Sequence, residues 1–395
     1  MSTHEFIKPK DVIYVDNNAT TSVAREVFEE MKPFLTDFYG NPSSIHTFGG
    51  QVAYKIDEAR EKIAKLIGAL DTEVVFTSCG TESDSSAILG ILQSNPSKKH
   101  IITTKVEHSA IMNLCGHLSK TGYDITYLSV DGKGQLDLNE LRNSIRPDTA
   151  IISIMHANNE TGVLFPVEEI GKIAKQKNVI FHVDAVQAVG KVPIDLSKSY
   201  IDLMSISGHK LHAPKGVGVL YVRRGTMMRP FLIGGHQERG RRAGTENVAS
   251  ICGLGKAAEL ALNHLNDENT KVRAMRDRLE RELLAKVDNT FVNGDTVNRL
   301  PNTTNISFEF VEGEAILLML DQHGICASSG SACTSGSLQP SHVLRAMGVP
   351  FTAAHGSIRF SLSRYNTDAE IDKIIEVMPA IIKKLRAISP YAPKK

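Results

Sequence analysis

His182-Val183-Asp184-Ala185-Val186-Gln187 and Leu203-Met204-Ser205-Ile206-Ser207-Gly208-His209-Lys210 are the stretches on which the reading of the fold turns. Each carries a short apolar run that stops at small or polar residues, the pattern of a buried strand meeting a loop. Similar runs recur at Glu73–Thr77, His100–Thr104, Ala150–Met155, Val179–Val183 and Val217–Val222. Amphipathic stretches lie between them. Val52, Ile56, Ala59, Ile63 and Leu66 fall on one helix face, and Ser83–Leu92, Ser109–Leu118 and Val167–Ala174 read the same way. This alternation predicts an α/β fold with a mainly parallel sheet covered on both faces. Past residue 245 the pattern changes to a long helical stretch, Glu246 to Lys286, with a break near Asn266–Asn269. A strand at Thr304–Phe310, a helix at Glu314–Gln322, a strand at Ser357–Leu362 and a helix at Asp368–Ile388 follow. The expected division is a large domain, 15–260, and a smaller α+β domain made of 1–14 and 261–395, carrying a loop of small polar residues at 327–337.

A chain of 395 residues with 42% hydrophobic content can build one large core and a second, smaller one. Lysine and arginine number 45 against 44 aspartate and glutamate, so the +1 balance gives no electrostatic reason to expect nucleic acid or a membrane surface as partner. No apolar run reaches the length of a membrane span. Met1 to Lys10 is polar and lacks the apolar run of a secretory leader. Five cysteines, at 79, 115, 252, 326 and 333, form no CxxC pair, which argues against both a disulfide framework and structural zinc. A cytoplasmic protein with reduced thiols is expected.

Lys210 ends an apolar run inside a small-residue loop and so faces the carboxyl edge of the sheet, where open α/β folds bind ligands. A surface lysine in a turn is the plain alternative. Asp184 ends another such run; a helix N-cap is the plain alternative there. Together a strand-end lysine and a strand-end carboxylate are what pyridoxal phosphate requires: an amine for its Schiff base and an anion for its protonated ring nitrogen. Gln187 could donate to the phenolic oxygen. Thr77-Ser78-Cys79-Gly80-Thr81-Glu82-Ser83 joins a strand to a helix, and Gly80 and Thr81 there form a phosphate cup or an ordinary cap. His108, at another strand-to-helix junction, could stack on a ring and relay protons, or merely cap. Asn159, in Asn158-Asn159-Glu160-Thr161-Gly162, suits a substrate carboxylate, a cofactor oxygen or a turn. Cys333 sits among Ser, Gly, Ala and Thr rather than packing residues, which suits an accessible nucleophile. Cys326, in more apolar surroundings, reads as core; Cys79, Cys115 and Cys252 read as structural. Arg359, between Ile358 and Phe360, needs a partner if it points inward, and a carboxylate would serve.

With these residues in place, the chain resembles the cysteine desulfurases of the fold-type I pyridoxal-phosphate enzymes, nearest the nitrogen-fixation type. The matching stretches are Val15–Thr21, Gly40–Ser44, Phe76–Ser83, His209–Gly216, Gly234–Asn247 and Ser329–Gly336. Cys79-Gly80 resembles the nitrogen-fixation branch, and the segment around Cys333 the long-loop group. The resemblance implies a large domain with a seven-stranded, mainly parallel sheet. It implies Lys210 as Schiff-base lysine, Asp184 at the pyridinium, Gln187 at the phenolic oxygen and His108 on the ring. It further implies Gly80, Thr81, Ser207 and His209 at the phosphate, and Asn18, Asn159 and Arg359 at the substrate. Thr245 matches a phosphate ligand supplied by the neighbouring subunit, which implies a homodimer with shared sites.

The implied reaction converts L-cysteine to L-alanine and leaves a persulfide on Cys333 for an iron–sulfur scaffold protein. Lys210 and His108 move protons. No metal is required, although Cys333 is a candidate iron–sulfur ligand. Selenocysteine lyase, or another pyridoxal-phosphate enzyme of this fold such as an aminotransferase, is the alternative within the class. An aminotransferase has no use for Cys333. A non-catalytic sulfur-carrier partner is the alternative outside the class, and retention of Lys210 and Asp184 argues against it.

Overall fold

The computed structural model describes residues 8, 12–329 and 340–390. Its centre is a seven-stranded sheet in the order Val74–Thr77, Gly218–Val222, Leu203–Ser207, Ile180–Asp184, Thr149–Ser153, His100–Thr104 and Asp124–Leu128. Only Gly218–Val222 runs antiparallel to its neighbours in this sheet; the other pairings are parallel. Most of the strands are buried throughout, so they appear in sequence as continuous Val, Ile and Phe runs rather than as alternation. Asp124–Leu128 is the exception. It is an edge strand whose first residues are partly exposed, and its mixed composition hid it from the sequence reading.

Two core clusters cover the two sheet faces. One, containing Ile63, Ile152, Phe181, Met204 and Tyr221, packs the helices Thr47–Ile67 and Val248–Asn263 against the sheet. The other, containing Ile88, Ile91, Ile101 and Ile151, lies under Gly80–Ser94 and Ser109–Ser119. A third core forms around an antiparallel sheet of Thr290–Val292, Thr303–Phe308 and Ser357–Ser361, covered by Arg273–Lys286 and Asp368–Ile388. Val15 joins this third core, and Ile13–Tyr14 pairs in parallel with Ile325–Cys326. The helix break expected near Asn266–Asn269 is a π-turn at Glu268–Val272 between Leu265–Asp267 and Arg273–Lys286.

One buried ion pair fixes the segment that leads to Thr245. Arg60 donates to both carboxylate oxygens of Glu238 at 2.8 and 2.9 Å and to the Val74 carbonyl at 2.8 Å. Glu238 also accepts from the Phe76 N–H at 2.9 Å and occupies the left-handed region at φ 47°. Replacing Glu238 by Ala strands a buried guanidinium, and the expected loss is about 3–5 kcal/mol in a denaturant titration.

Candidate active site

The parallel strands all end on the same edge of the sheet, and the segments that follow them enclose a cavity of about 760 Å³. Cys79–Thr81 follows Val74–Thr77, His108–Ser109 follows His100–Thr104, and Asn159–Glu160 follows Thr149–Ser153. Val186–Gln187 follows Ile180–Asp184, and His209–Lys210 follows Leu203–Ser207. Asn18 and Arg359 close the cavity from the side of the third core. Of the residues singled out in the sequence, Asn18, Gly80, Thr81, His108, Asn159, Asp184, Gln187, Ser207, His209, Lys210 and Arg359 line it. Thr245 is exposed and stands outside this lining. Cys333 lies outside the described residues.

Lys210 sits in a short 3-10 turn, Gly208–Lys210, at the end of its strand. Its Nζ donates to the Ala19 carbonyl at 2.7 Å and to the Asn18 carbonyl. Asp184 is buried, with one oxygen accepting from the Val186 N–H at 2.9 Å. Burial raises its pKa, and His108, the Val186 N–H and Lys210 oppose that rise. A carboxylate in this setting suits a cationic N–H partner, because only a charge-assisted bond repays its desolvation.

His108 is the N-cap of Ser109–Ser119, and its Nδ1 accepts from the Ala110 N–H at 3.2 Å. The neutral ring therefore carries its proton on Nε2. Burial lowers its pKa, with Lys210 and His342 adding to the effect against Asp184. Burial also brings His209 down to about 4, so it enters the site as a neutral ring, with Nδ1 3.1 Å from the Thr20 hydroxyl.

Gly80 opens the 15-residue helix Gly80–Ser94, whose N-cap Cys79 makes no side-chain capping bond. The N–H groups of its first turn therefore suit an anion. A Cβ at Gly80 would lie 2.9 Å from Val186 Cγ2 and 3.4 Å from Ser207 Cβ, so only glycine leaves this cradle open. Glu82 holds the turn in place: it accepts from the Ser78 N–H at 2.7 Å and pairs with Arg242 at 2.9 Å.

Arg359 is buried, and its Nη2 lies 2.6 Å from an Asp16 oxygen while Nη1 donates to the Asn159 carbonyl at 3.0 Å. Its Nε is buried with no hydrogen-bond partner among the described residues. The inward position expected from the sequence thus has a protein partner, Asp16, while Arg359 still lines the cavity. Asn159 is presented by an Asx-type turn, in which the Asn158 side-chain oxygen accepts from the Glu160 and Thr161 N–H groups at 2.9 and 3.0 Å. Asn18 reaches the site through its backbone carbonyl, because its carboxamide donates to Thr303 Oγ1 at 2.8 Å and to the Asn159 carbonyl at 3.2 Å.

The sequence reading missed several lining residues. His342 and Arg345 come from the short helix His342–Ala346, which carries no motif. Asp84 sits on the helix Gly80–Ser94, fully buried, with its pKa raised by burial and by Asp184. Glu160, pushed up to about 7 by burial, accepts from the Ser341 hydroxyl at 2.5 Å. Cys115 and Cys252 are buried as expected, with thiols pushed up to about 12 by desolvation. Cys326 is half-buried rather than core, and Cys79 lines the cavity.

The profile of the aminotransferase class-V family matches residues 13–374. A cysteine desulfurase of Trichormus azollae is 64% identical over 380 residues, covering 96% of this chain and 95% of that protein. The cysteine desulfurase NifS of Azotobacter vinelandii is 60% identical over 380 residues, covering 96% and 94%. Among solved structures, a NifS-like protein superposes with a TM-score of 0.89 at 39% identity, covering 95% of this chain and 100% of that one. SspA in complex with cysteine superposes at 0.80 and 37% identity, covering 90% and 99%. A seven-stranded α/β sheet, a strand-end cavity and matches along nearly the whole chain agree, and the chain belongs to the aminotransferase class-V family, among the cysteine desulfurases.

Proposed function

We propose that this protein removes sulfur from L-cysteine, releasing L-alanine and leaving a persulfide on Cys333. The observation that carries the reading is the convergence of Lys210, Asp184, the open Gly80 cradle and Arg359 on one cavity. Its resemblance to a neighbour that binds cysteine supports the substrate.

The residues fit pyridoxal 5′-phosphate. Gly80, Thr81, Ser207 and His209 would hold its phosphate, Asp184 its ring nitrogen, Gln187 its phenolic oxygen, His108 its face and Lys210 its aldehyde carbon. When bound, the cofactor supplies an electron sink for the pair released at the substrate Cα. Arg359 and Asn159 hold the substrate carboxylate and orient the Cα–H bond toward Lys210. The Lys210 amine takes that proton and later returns it. His108, neutral with its proton on Nε2, can protonate a leaving or re-forming group without adding charge to the site. The Cys333 thiolate attacks the substrate sulfur: the new S–S bond forms as the C–S bond breaks, so one cysteine and one enzyme thiol become one alanine and one enzyme persulfide.

We further assign Thr245 to the phosphate site of a second copy in a homodimer. In support, Phe28, Leu35, Phe38, Tyr39, Ile45 and Tyr54, together with Met227 and Ile233, are exposed and apolar. A division at residue 260, cytoplasmic residence and delivery to an iron–sulfur scaffold for nitrogenase maturation complete the reading. No helix among the described residues is long and apolar enough to cross a membrane.

Incubation of purified protein with L-cysteine is expected to give alanine, with a mass gain of one sulfur on the peptide carrying Cys333. Alanine without bound sulfur, or neither product, would refute the assignment. Gly80→Ala is expected to weaken cofactor binding by about 1–3 kcal/mol, since the added methyl meets a β-branched neighbour. Equilibrium titration with pyridoxal phosphate checks this.

A further inference from the structure

Gln187 faces the reaction cavity, and what stands behind it is a buried ammonium. Lys191, four residues on, donates from Nζ to the Gln187 carbonyl at 3.1 Å and to its side-chain Oε1 at 3.4 Å. On the other side of the carboxamide, Nε2 donates to the Asn18 carbonyl at 3.0 Å. These partners settle which way round the amide lies. An ammonium has only donors and a carbonyl only acceptor sites, so Oε1 must face Lys191 and the NH₂ must face the cavity.

Lys191 is only 7% exposed. A methionine would fill the same space without the cost of burying charge, and a buried ion pair adds little to stability in any case. The surroundings are nonetheless built for the charge. The π-turn Glu268–Val272 brings a second buried group, Glu268, toward Lys191, and Asn269 of that turn donates to the Lys191 carbonyl at 2.9 Å. Glu268 is held by the Arg364 backbone N–H, and its Oε2 is buried with no hydrogen-bond partner among the described residues. A cavity of about 20 Å³, lined by Lys191, Glu268, Arg364 and Lys210, lies between them, large enough for one water. π-turns inside helices often mark functional sites.

We propose that Lys191 is a positioning residue for the reaction: it locks the Gln187 carboxamide with its NH₂ toward the cavity and adds a positive charge behind it, so that the site favours an oxyanion where Gln187 donates. This rests on the assignment of Gln187 to the phenolic oxygen of pyridoxal phosphate. The other charged or titratable groups around that position are Cys79, Asp84, His108, Glu160, Asp184, His209, Lys210, His342, Arg345 and Arg359 in the reaction cavity, and His212, Glu268 and Arg364 beside Lys191. Lys191 is the side chain seen to donate to Gln187 Oε1.

The test is the pH titration of the visible absorption of protein loaded with pyridoxal phosphate. A positive charge near the bound cofactor disfavours its protonated form. Lys191→Met is therefore expected to keep the yellow colour but raise the titration midpoint by about half a unit to one unit, one unit being tenfold in the equilibrium. Lys191→Arg, which keeps a charge and donors, is expected to restore most of the shift. Should Lys191→Met prove insoluble, Lys191→Gln is expected to give the same rise. A yellow, folded Lys191→Met or Lys191→Gln protein with the wild-type midpoint overturns the proposal. So does a rise that Lys191→Arg shares in full. A wild-type protein that stays colourless with added cofactor overturns the cofactor assignment itself, and the role of Lys191 falls with it.

Discussion

Lys210→Ala is expected to lose the covalently held visible chromophore and to slow alanine formation by about 10²–10⁴-fold, the usual contribution of a positioned acid–base group. The geometry explains why no neighbour can take over. Lys210 is fixed by its 3-10 turn, and its Nζ is held against the Asn18 and Ala19 carbonyls at the cavity wall. Lys191 lies outside the lining of the cavity, and its Nζ is committed to Gln187. Lys210→Arg separates charge from chemistry. It keeps a cation near Asp184 but has no amine that can condense with an aldehyde, so it is expected to be as inactive as Lys210→Ala while still binding the cofactor through the Gly80 cradle. Spectra of protein with added cofactor, read beside an alanine assay, check both variants. Wild-type turnover in either would move the base elsewhere.

Cys333→Ala is expected to reduce both alanine release and bound sulfur to background and leave the spectrum of the loaded protein unchanged. The carbon–sulfur bond needs a thiolate to receive the sulfur, and no other thiol is equally suited. Burial holds Cys115 and Cys252 as thiols, and Cys326 is raised by burial and by the nearby carboxylates Asp321 and Asp16. Cys79 lines the cavity, but it is fixed as the cap of Gly80–Ser94. Persistent alanine formation in Cys333→Ala, with sulfur found on Cys79, would reassign the acceptor.

The strand-end logic was legible from the sequence because a fully buried parallel sheet writes itself as uninterrupted Val, Ile and Phe runs. That is why the sequence alone puts Asp184 and Lys210 on one edge. Asp124–Leu128 was lost because a half-exposed edge strand has no such signature. The reversal of Gly218–Val222 was lost because direction is set by pairing, not composition. At the site, glycine and capping patterns exposed Gly80 and His108. His342, Arg345 and Asp84 lie in ordinary helical sequence and reach the cavity only through the packing of distant segments. Asn18 illustrates a further limit. Its presence was foreseen, but that it would offer a backbone oxygen instead of its carboxamide depends on Thr303, some 285 positions away.

The two deeply buried thiols have a practical consequence. With acidities suppressed to about 12, Cys115 and Cys252 should stay unalkylated in the folded protein at neutral pH. Their peptides can therefore serve as an internal standard in mass spectrometry. Any label or extra sulfur found on them reports unfolding or exchange during handling, and its ratio to the signal on the Cys333 peptide tells enzymatic loading apart from artefact in a single digest.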